Sequence, residues 1–358
     1  MTPDSLDSPI TLHVVYVKGT TQALSLGALS LARFTQFRLR LVSNGCTEAE
    51  EAFLEGLCES NSRLSFLRLP REAQRKRRNG AFAPRAEHCD AIAYLYRTER
   101  SPFFGFVDSD IFAVGAMSPA VPPDAGELIS AMPLTAAWSR RHERHLAAKN
   151  AVGSSFLAVY HGATLRRLME RSGVGFERYV WEKVPDEIKS RLRRAGYARR
   201  KFDTGKLLNT LLALEGGAVR WVDDANLRHL GGFSHPAAPV PSPRSWGELP
   251  GFVASKLRRH VQDYRRVGFL REGNRANRNA CAEYFAALLA SLDAGGAPPP
   301  PPRVRNGYVR AKLIRMGEEL RRLHPRVVDR PATALDATLR AAKSDSGLQR
   351  RSAGRSRA

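Results

Sequence analysis

A run of apolar residues that ends in two aspartates constrains this chain more than any other segment. Residues 103–107 read Phe-Phe-Gly-Phe-Val, and Asp108-Ser109-Asp110 follows before apolar residues resume at Ile111. An uninterrupted apolar run with aromatic and β-branched residues predicts a strand covered on both faces, as strands of parallel sheets are. The two acids then stand at the carboxyl end of that strand, which is where open α/β sheets bind ligands.

Two carboxylates at such a position favour a cation site. They repel each other and lose hydration on burial, so both stay ionised only beside a positive charge. A hard divalent cation supplies that charge and also binds phosphate oxygens. The alternative is a turn in which the acids only cap backbone groups, because Asp-Ser-Asp is also common in turns. On these residues alone both interpretations stay open.

Composition and cysteine usage bound the class of protein. The chain has 358 residues, 43% of them hydrophobic, which suffices for one large domain or two ordinary ones. It has no apolar run of about 18 residues, and Met1–Pro9 is polar and acidic, unlike a signal peptide. Its four cysteines form no CxxC pair, which fits reduced thiols better than a zinc site or disulfides. We therefore expect a cytoplasmic protein without a membrane span.

The charge balance favours an anionic partner. The net charge is +22, from 57 Lys and Arg against 35 Asp and Glu. Nucleic acid, anionic lipid headgroups and phosphorylated small molecules all fit this sign. The basic residues are spread along the chain, and no RNP-type motif, zinc finger or KH-like loop accompanies them. A nucleic-acid-binding protein is therefore the weaker alternative.

Strand and helix patterns alternate along the first two thirds of the chain. Strands are predicted at Thr11–Val17, Phe37–Val42, Leu64–Leu69, Phe103–Val107, Gly153–Tyr160 and Ala218–Val222. Helices are predicted at Thr21–Thr35, from Thr47 onwards, and at Arg85–Arg97, Ala163–Arg171 and Lys206–Gly216. This alternation at βαβ spacing predicts an α/β fold with a parallel, doubly wound sheet.

In this order the elements resemble the GT-A-fold glycosyltransferases, near the inverting family 2 group. The residues that carry the resemblance are Val14–Lys18, Ser43-Asn44-Gly45, His88, the DxD motif Asp108-Ser109-Asp110, Phe202–Gly205 and His229–Ser234. Together they cover about residues 12–235. The usual Glu-Asp pair is Phe202-Asp203 here, and no QxxRW-like segment follows, which argues against a processive polysaccharide synthase.

The resemblance implies a Rossmann-like, mostly parallel GT-A sheet flanked by helices, and a hexosyltransferase-like activity. Such an enzyme moves a sugar from a nucleotide-sugar donor to the hydroxyl of a glycan, lipid-linked or small-molecule acceptor, with inversion. Asp108, Asp110 and His229 would hold Mn²⁺ or Mg²⁺, with His235 competing for the place of His229. Asp203 would be the general base; the alternative is that it caps the helix behind it.

The resemblance also implies a set of donor contacts. The residues expected to contact the nucleotide sugar are Val17, Ser43, Asn44, His88, Asp108 and Ser109. The basic run Arg75–Arg78 would hold the diphosphate or else form a solvated face. A nucleotidyltransferase using the same paired acids is the other enzyme alternative, although Lys18–Thr21 is a poor version of its Gly-rich loop.

Composition predicts how the chain is divided. We expect a flexible N-terminus over 1–10, a GT-A catalytic domain over 11–236 and a Pro/Ser linker over 237–250. A helical extension would follow over 251–296, then a Pro-rich spacer, a basic helix and a disordered tail over 297–358. The basic helix, Tyr308–Leu323, either contacts an anionic membrane surface or packs on the catalytic domain. The segment Trp138–His145 is expected to be a surface loop or lid.

Overall fold

The computed structural model describes residues 10–74, 85–117, 122–130, 152–153, 155–195, 197, 201–222, 226–229, 284, 287–292, 294, 296–297, 299–301 and 307–327. The strands are β1 (Thr11–Val17), β2 (Arg38–Asn44), β3 (Leu64–Arg68), β4 (Phe103–Val107), β5 (Ile111–Ala113), β6 (Glu127–Ser130), β7 (Leu157–His161), β8 (Tyr179–Val180), β9 (Lys201–Phe202), β10 (Ala218–Trp221) and β11 (Leu227–His229). The helices are α1 (Thr21–Phe34), α2 (Glu48–Glu59), α3 (His88–Thr98), α4 (Gly162–Ser172), α5 (Asp186–Arg194), α6 (Lys206–Leu214) and α7 (Gly307–Val327).

The central sheet has seven strands in the order β10-β6-β7-β4-β1-β2-β3. Strand β7 is antiparallel to both of its neighbours, and the other four pairings are parallel. Two antiparallel ribbons, β5–β11 and β8–β9, accompany the sheet. The predicted α/β fold with a mostly parallel sheet is confirmed.

Strand β4 lies between one parallel and one antiparallel neighbour, although its continuous apolar run is typical of parallel sheets. This strand pairs parallel with β1 on one side and antiparallel with β7 on the other. An apolar run reports that both faces of a strand are covered, and it carries no information about the direction of the neighbouring strands. Gly105 lies where β4 is most tightly packed, since a Cβ there would lie 2.6 Å from Leu12 Cδ2.

Helices cover both faces of the sheet. One face packs against α1, α2 and α7, and its buried strand residues include Leu12 and Val14 on β1 and Leu39 and Leu41 on β2. The opposite face packs against α3, α4, α5 and α6 through residues such as Val15, Val42, Phe104 and Phe106. Neighbouring residues on each strand therefore face different helical layers, as the two-residue strand period requires.

A side-chain network at the start of α2 also holds the turn after β1. Thr47 and Glu50 form a capping box, in which the Thr47 side chain accepts from the Glu50 backbone N–H and the Glu50 carboxylate accepts from the Thr47 backbone N–H. The Glu50 carboxylate additionally accepts a hydrogen bond from the Gly19 backbone N–H. The helix predicted from its acid-rich first turn therefore also positions the β1–α1 connection.

The basic C-terminal helix packs on the α/β core. Leu320 and Leu323 of α7 are buried in the same cluster as α1, together with Tyr284 and Leu288. Arg326 lies 4.7 Å from the centroid of the Phe34 ring on α1 and donates a hydrogen bond to the Val114 carbonyl oxygen. Of the two interpretations of this helix, packing on the domain is the one observed for its described residues.

Strand β6 is an element that was not predicted from the sequence. Its four residues pair with both β10 and β7, and Leu128 and Ile129 are buried. A strand this short, with polar residues at both ends, gives too little periodicity to be recognised. Trp138–His145, Arg75–Arg78, His235 and the expected linker and tail lie outside the described residues, so the predicted division of the chain stays a prediction.

Two further expectations concern cysteines and membranes. Cys46, Cys58 and Cys89 are free thiols, and Cys281 lies outside the described residues. Among the helices that the structure describes, none combines the length and the apolar character needed to cross a bilayer.

Candidate metal and donor site

The carboxyl ends of β1, β2 and β4 meet at one edge of the sheet. In the β1–β2 register Val17 lies opposite Asn44, and Tyr16 lies opposite Ser43. In the β1–β4 register Val14 lies opposite Val107, so Asp108 follows at the same edge. The pairing of parallel strands therefore gathers three of the segments that the sequence singled out.

Ser43 and Asn44 lie at the end of β2, and both side chains are buried and hydrogen-bonded within the protein. Ser43 Oγ donates to Glu51 Oε1 over 2.7 Å. Asn44 Nδ2 donates to the Ala86 carbonyl oxygen over 3.0 Å, and the Ala86 N–H donates back to Asn44 Oδ1 over 2.8 Å. Asn44 thereby fixes the segment that leads into α3, and its contact with a nucleotide stays a prediction.

The DxD segment is held by backbone contacts from two directions. The Asp108 N–H donates to the Phe156 carbonyl oxygen over 2.7 Å, and the Ile111 N–H donates to the Asp108 carbonyl oxygen over 3.1 Å. From α1, Ser30 Oγ accepts a hydrogen bond from the Ala113 N–H. Helix α1 approaches so closely that a Cβ at Gly27 would lie 2.7 Å from the Ile111 carbonyl oxygen.

Strand pairing brings His229 to the aspartates. In the β5–β11 ribbon His229 lies opposite Ile111, the residue that follows Asp110. His229 Nε2 lies 3.3 Å from Asp110 Oδ1. The imidazole also lies against the Phe156 ring, with 4.2 Å between the ring centroids. A histidine distant in sequence is thus fixed beside the acid pair.

Asp108, Asp110 and His229 form a cluster that fits a divalent cation. Each offers one ligand atom, and these atoms all lie within 4.8 Å of one another. Asp110 is fully buried, while Asp108 and His229 are partly accessible. Burial, and then the Asp110 carboxylate, raise the pKa of Asp108. Two carboxylate oxygens and an imidazole nitrogen are donors that Mn²⁺ accepts, and a cation here would relieve the repulsion between the acids.

Ser109 lies between the two acids and is 3% exposed. Its Oγ is buried, and among the described residues it has no hydrogen-bond partner. A buried hydroxyl without a partner costs free energy, so such a group is often reserved for a ligand. Its predicted contact with the donor stays a prediction.

Asp203 lies beside the acid pair and is not the cap of α6. The residue at the N-cap position is Gly205, in the left-handed conformation with φ at 65°, and α6 has no side-chain cap. Asp203 instead accepts a hydrogen bond from the Thr204 N–H over 3.2 Å and lies 3.5 Å from Arg178 Nε. The capping interpretation is wrong because Asp203 stands outside the first turn of the helix, and its carboxylate is 48% exposed.

His88 connects the two acidic parts of the site. Its Nε2 lies 3.7 Å from Asp108 Oδ1, and its Nδ1 lies 3.2 Å from Thr204 Oγ1. The ring also meets Phe106 edge-on. His88 was expected near the nucleotide, and the structure places it between the DxD segment and the Asp203 loop.

Two cationic residues of the site were missed in the sequence. Arg178 precedes β8, and the β8–β9 ribbon brings it between Glu87 and Asp203, 3.4 Å and 3.5 Å from their carboxylate oxygens. Lys206 is the first residue of α6, and its positive charge acts on Asp108. Strands β8 and β9 have two residues each, too few for a periodic signal that would point to Arg178. Helix α6 was predicted, but only the spacing of Lys206 from Asp203 could have pointed to the lysine.

No protein-family model and no curated protein sequence matches the chain. Solved structures that match include glycosyltransferases, the class that the sequence resembles. Galactosyltransferase LgtC with donor and acceptor sugar analogues has 11% identity and a TM-score of 0.37, covering 59% of this chain and 73% of that one. Mannosyltransferase PcManGT from Pyrobaculum calidifontis, in complex with GDP-Man and Mn²⁺, has 14% identity and a TM-score of 0.37, covering 97% and 80%.

Mouse xyloside xylosyltransferase 1 has 10% identity and a TM-score of 0.35, covering 60% of this chain and 86% of that one. Identities and TM-scores this low do not show which reaction the chain catalyses. The residues of the site are the evidence for its function.

Proposed function

We propose that this chain is a metal-dependent glycosyltransferase. It would move a sugar from a nucleotide-sugar donor to an acceptor hydroxyl, with inversion at the anomeric carbon. The observation that carries the proposal is the convergence of Asp108, Asp110 and His229 at the carboxyl edge of a mostly parallel sheet. A site of buried acids needs a cation, and a cation held there attracts a phosphate-bearing ligand.

Asp108, Asp110 and His229 would hold Mn²⁺ or Mg²⁺. Bound there, the ion would supply Lewis-acid stabilisation of the diphosphate as it leaves the sugar. The protein keeps these ligands oriented through its own contacts. The Phe156 carbonyl oxygen fixes the Asp108 backbone, and pairing with β5 fixes His229. Contacts of this kind orient metal ligands, and losing them typically lowers metal affinity by about 10- to 100-fold.

The transfer step needs a base, and Asp203 is the candidate. In the step, the bond from the anomeric carbon to the phosphate oxygen breaks and its electron pair stays on the phosphate. The acceptor oxygen forms the new bond to that carbon, and its proton passes to the Asp203 carboxylate. Asp203 is accessible and lies near Asp108, whose pKa its charge raises after the larger effects of burial and Asp110. A single displacement inverts the anomeric centre.

The rest of the donor would lie along the same sheet edge. Val17 and Asn44 are adjacent in the β1–β2 register, and Ser109 offers a buried hydroxyl beside them along the edge. Backbone groups at strand ends are suited to a nucleoside because the adjoining loops are free to shape a pocket. The acceptor would be a glycan, a lipid-linked sugar or a small molecule bearing a hydroxyl.

A calorimetric screen tests the proposal. The wild-type chain is titrated with nucleoside diphosphates and sugar nucleotides in the presence of Mn²⁺, Mg²⁺ or EDTA, and in parallel with nucleoside triphosphates and oligonucleotides. We expect tight binding of one nucleoside diphosphate that EDTA abolishes. Preferred binding of a triphosphate would instead support a nucleotidyltransferase, and preferred salt-sensitive binding of oligonucleotides would support a nucleic-acid-binding protein.

Substituting Asp203 tests its role as the base. In Asp203→Asn, we expect turnover to fall by about 10²- to 10⁴-fold while donor affinity stays unchanged, because the amide no longer accepts a proton. Turnover close to that of wild type would show that Asp203 is not the base. The proposed metal and donor site would not be affected by that result.

A further inference from the structure

Lys206 borders the metal cluster from the side of α6. Its side chain is half-buried, and its Nζ lies 5.9 Å from the centroid of the Phe156 ring. The same ring contacts the His229 imidazole, which in turn lies 3.3 Å from Asp110. Lys206 and His229 are therefore both neighbours of Phe156, whose carbonyl oxygen accepts a hydrogen bond from the Asp108 N–H.

Electrostatics also link Lys206 to the DxD motif. Burial raises the pKa of Asp108 most and Asp110 raises it further, while the charges of His229 and Lys206 lower it. The ammonium group therefore acts on the same carboxylate that contributes to the metal cluster. The turn before α6 holds the lysine in place, because Gly205 takes a left-handed conformation there and Lys206 N–H donates to the Asp203 carbonyl oxygen.

The charge balance of the site calls for a further cation. The two charges of a divalent ion would be balanced by Asp108 and Asp110, so a diphosphate that the ion coordinates brings negative charge that the metal and these acids do not balance. The diphosphate gains one more negative charge when the bond to the sugar breaks. Arg178 lies between the Glu87 and Asp203 carboxylates, and these two acids already balance its charge. Lys206 is the described cation placed next to the DxD acids on the α6 side.

We propose that Lys206 is a phosphate ligand of the donor, and that it contacts the phosphate group that leaves with the nucleotide. This inference rests on the proposed glycosyltransferase function. As the bond between the anomeric carbon and the phosphate oxygen breaks, the electron pair stays on the phosphate. The Lys206 ammonium donates a hydrogen bond to that phosphate and keeps its proton. Its contribution grows during the step, because negative charge grows on the phosphate.

The test compares nucleoside diphosphates with the matching nucleosides. Affinities of UDP, GDP, ADP and CDP, and of the free nucleosides, are measured by calorimetry with Mn²⁺ for wild type, Lys206→Gln and Lys206→Arg. For the diphosphate that wild type binds, we expect Lys206→Gln to weaken binding by about 10- to 100-fold, the scale of one charge-assisted hydrogen bond. Nucleoside affinity should stay unchanged, and Lys206→Arg should restore most of the diphosphate affinity.

A charge-matched control separates a local contact from the general field of a basic protein. Lys183 lies in the short helical turn after β8 and is exposed. Lys183→Gln removes the same charge and should leave the diphosphate affinity unchanged. An equal loss in both Gln variants would overturn the proposal, because the loss would then come from net charge. Thermal unfolding of each variant confirms that it is folded; if Lys206→Gln is not, Lys206→Met replaces it.

The outcomes also separate this inference from the proposed function. If wild type binds a nucleoside diphosphate, Asp110→Asn abolishes the binding and Lys206→Gln does not weaken it, Lys206 is not a phosphate ligand and the proposed function stands. If wild type binds no nucleoside diphosphate with either metal, the proposed function fails and this inference fails with it.

Discussion

Each end of the central strands carries a cluster of acids and histidines, but the charges are balanced at only one of the two ends. At the carboxyl end, Asp108 and Asp110 lie beside two histidines, His88 and His229. Toward the amino end, the buried His13 on β1 lies beside one acid, Glu99, and one arginine, Arg40. One end gathers excess negative charge, and the other pairs its charges within the protein.

The amino-end cluster is compensated by several groups. Glu99 Oε2 lies 3.4 Å from His13 Nε2 and 3.2 Å from Arg40 Nη1, and Glu99 Oε1 accepts from the Arg100 and Ser101 N–H groups. The contact with His13, followed by these backbone hydrogen bonds and Arg40, lowers the pKa of Glu99 to about 2 against the opposing effect of burial. Burial lowers the pKa of His13.

The contrast distinguishes a structural charge cluster from a functional one. A buried acid that has its own arginine and N–H donors is compensated within the protein and needs no ligand. A carboxylate whose pKa is raised by burial and by a neighbouring acid, as that of Asp108 is, is held at some cost to stability, and such sites often mark function. Four substitutions, one of them paired with a control variant, test this distinction from the largest expected effect to the smallest.

Asp110→Asn should give the largest effect. We expect metal-dependent turnover to fall by on the order of a thousandfold, the scale of losing one electrostatic group at a transition state. Stability without metal should be equal to or above that of wild type, because the repulsion with Asp108 is removed. Turnover assays and urea denaturation in EDTA check both parts. A large loss of stability would show that the acids at the carboxyl end stabilise the fold, which would contradict the distinction between the two clusters.

Gly27→Ala tests how closely α1 holds the DxD segment. The new methyl group would lie 2.7 Å from the Ile111 carbonyl oxygen, so either the helix or the loop must shift. We expect a loss of about 1–3 kcal/mol in the free energy of unfolding, the usual cost of overpacking, together with weaker metal binding. Urea denaturation and Mn²⁺ titration measure the two.

Gly56→Ala is the matched control for Gly27→Ala. Gly56 lies inside α2, and a Cβ there would meet nothing within 4 Å. This variant should gain about 0.5–1 kcal/mol, because alanine favours helix where no contact opposes it. If both variants gain stability, the close approach of Gly27 on α1 to Ile111 does not hold the DxD segment in place.

Glu99→Gln should lower the stability of the fold and leave nucleoside diphosphate binding at the carboxyl end of the sheet unchanged. The folded-state pKa of Glu99 is about 2, below its ordinary value of 4.5, so its contribution is present above pH 4.5 and lost as the pH falls toward 2. The His13 pKa is also lowered, so its protonation opposes folding below its ordinary pKa of 6.5. We expect Glu99→Gln to lose about 1 kcal/mol at pH 7 and less at pH 3.

Chemical denaturation across this pH range measures that change, with nucleoside diphosphate affinity at pH 7 as the second readout. A pH dependence identical to that of wild type would mean that Glu99 is not stabilised by its partners. A lost affinity would mean that the two ends of the sheet are not independent.

Arg40→Gln should give the smallest effect. The Arg40 side chain is 36% exposed, and ion pairs at such positions contribute about 0.2–1 kcal/mol. We expect a small, salt-sensitive loss of stability by urea denaturation and unchanged turnover. A loss much larger than that of Glu99→Gln would make Arg40, and not the His13 contact, the main partner of Glu99.

The sequence predicted the elements whose signals are local. Helix α1 begins at Thr21 as expected, and β1 and β4 have the predicted bounds, because their apolar periodicity is set by burial. It did not predict β5, β6, β8, β9 or β11, which have four residues or fewer, nor helix α5, nor the antiparallel direction of β7. A short strand is stabilised mainly by the strands that it pairs with, and a local sequence pattern carries no information about those strands.

The sequence by itself determined an α/β chain with a strand that ends in Asp108 and Asp110, because a buried apolar run and the acids after it are adjacent residues. The family resemblance named His229 as their partner, and the tertiary structure decided how that histidine and the groups missed in the sequence reach the site. Pairing of β11 with β5 placed His229 there, the turn before α6 placed Lys206, and the β8–β9 ribbon placed Arg178 beside Asp203. These contacts join elements that are separate in the chain. The strand register that positions them is fixed only when the strands pair in the folded protein.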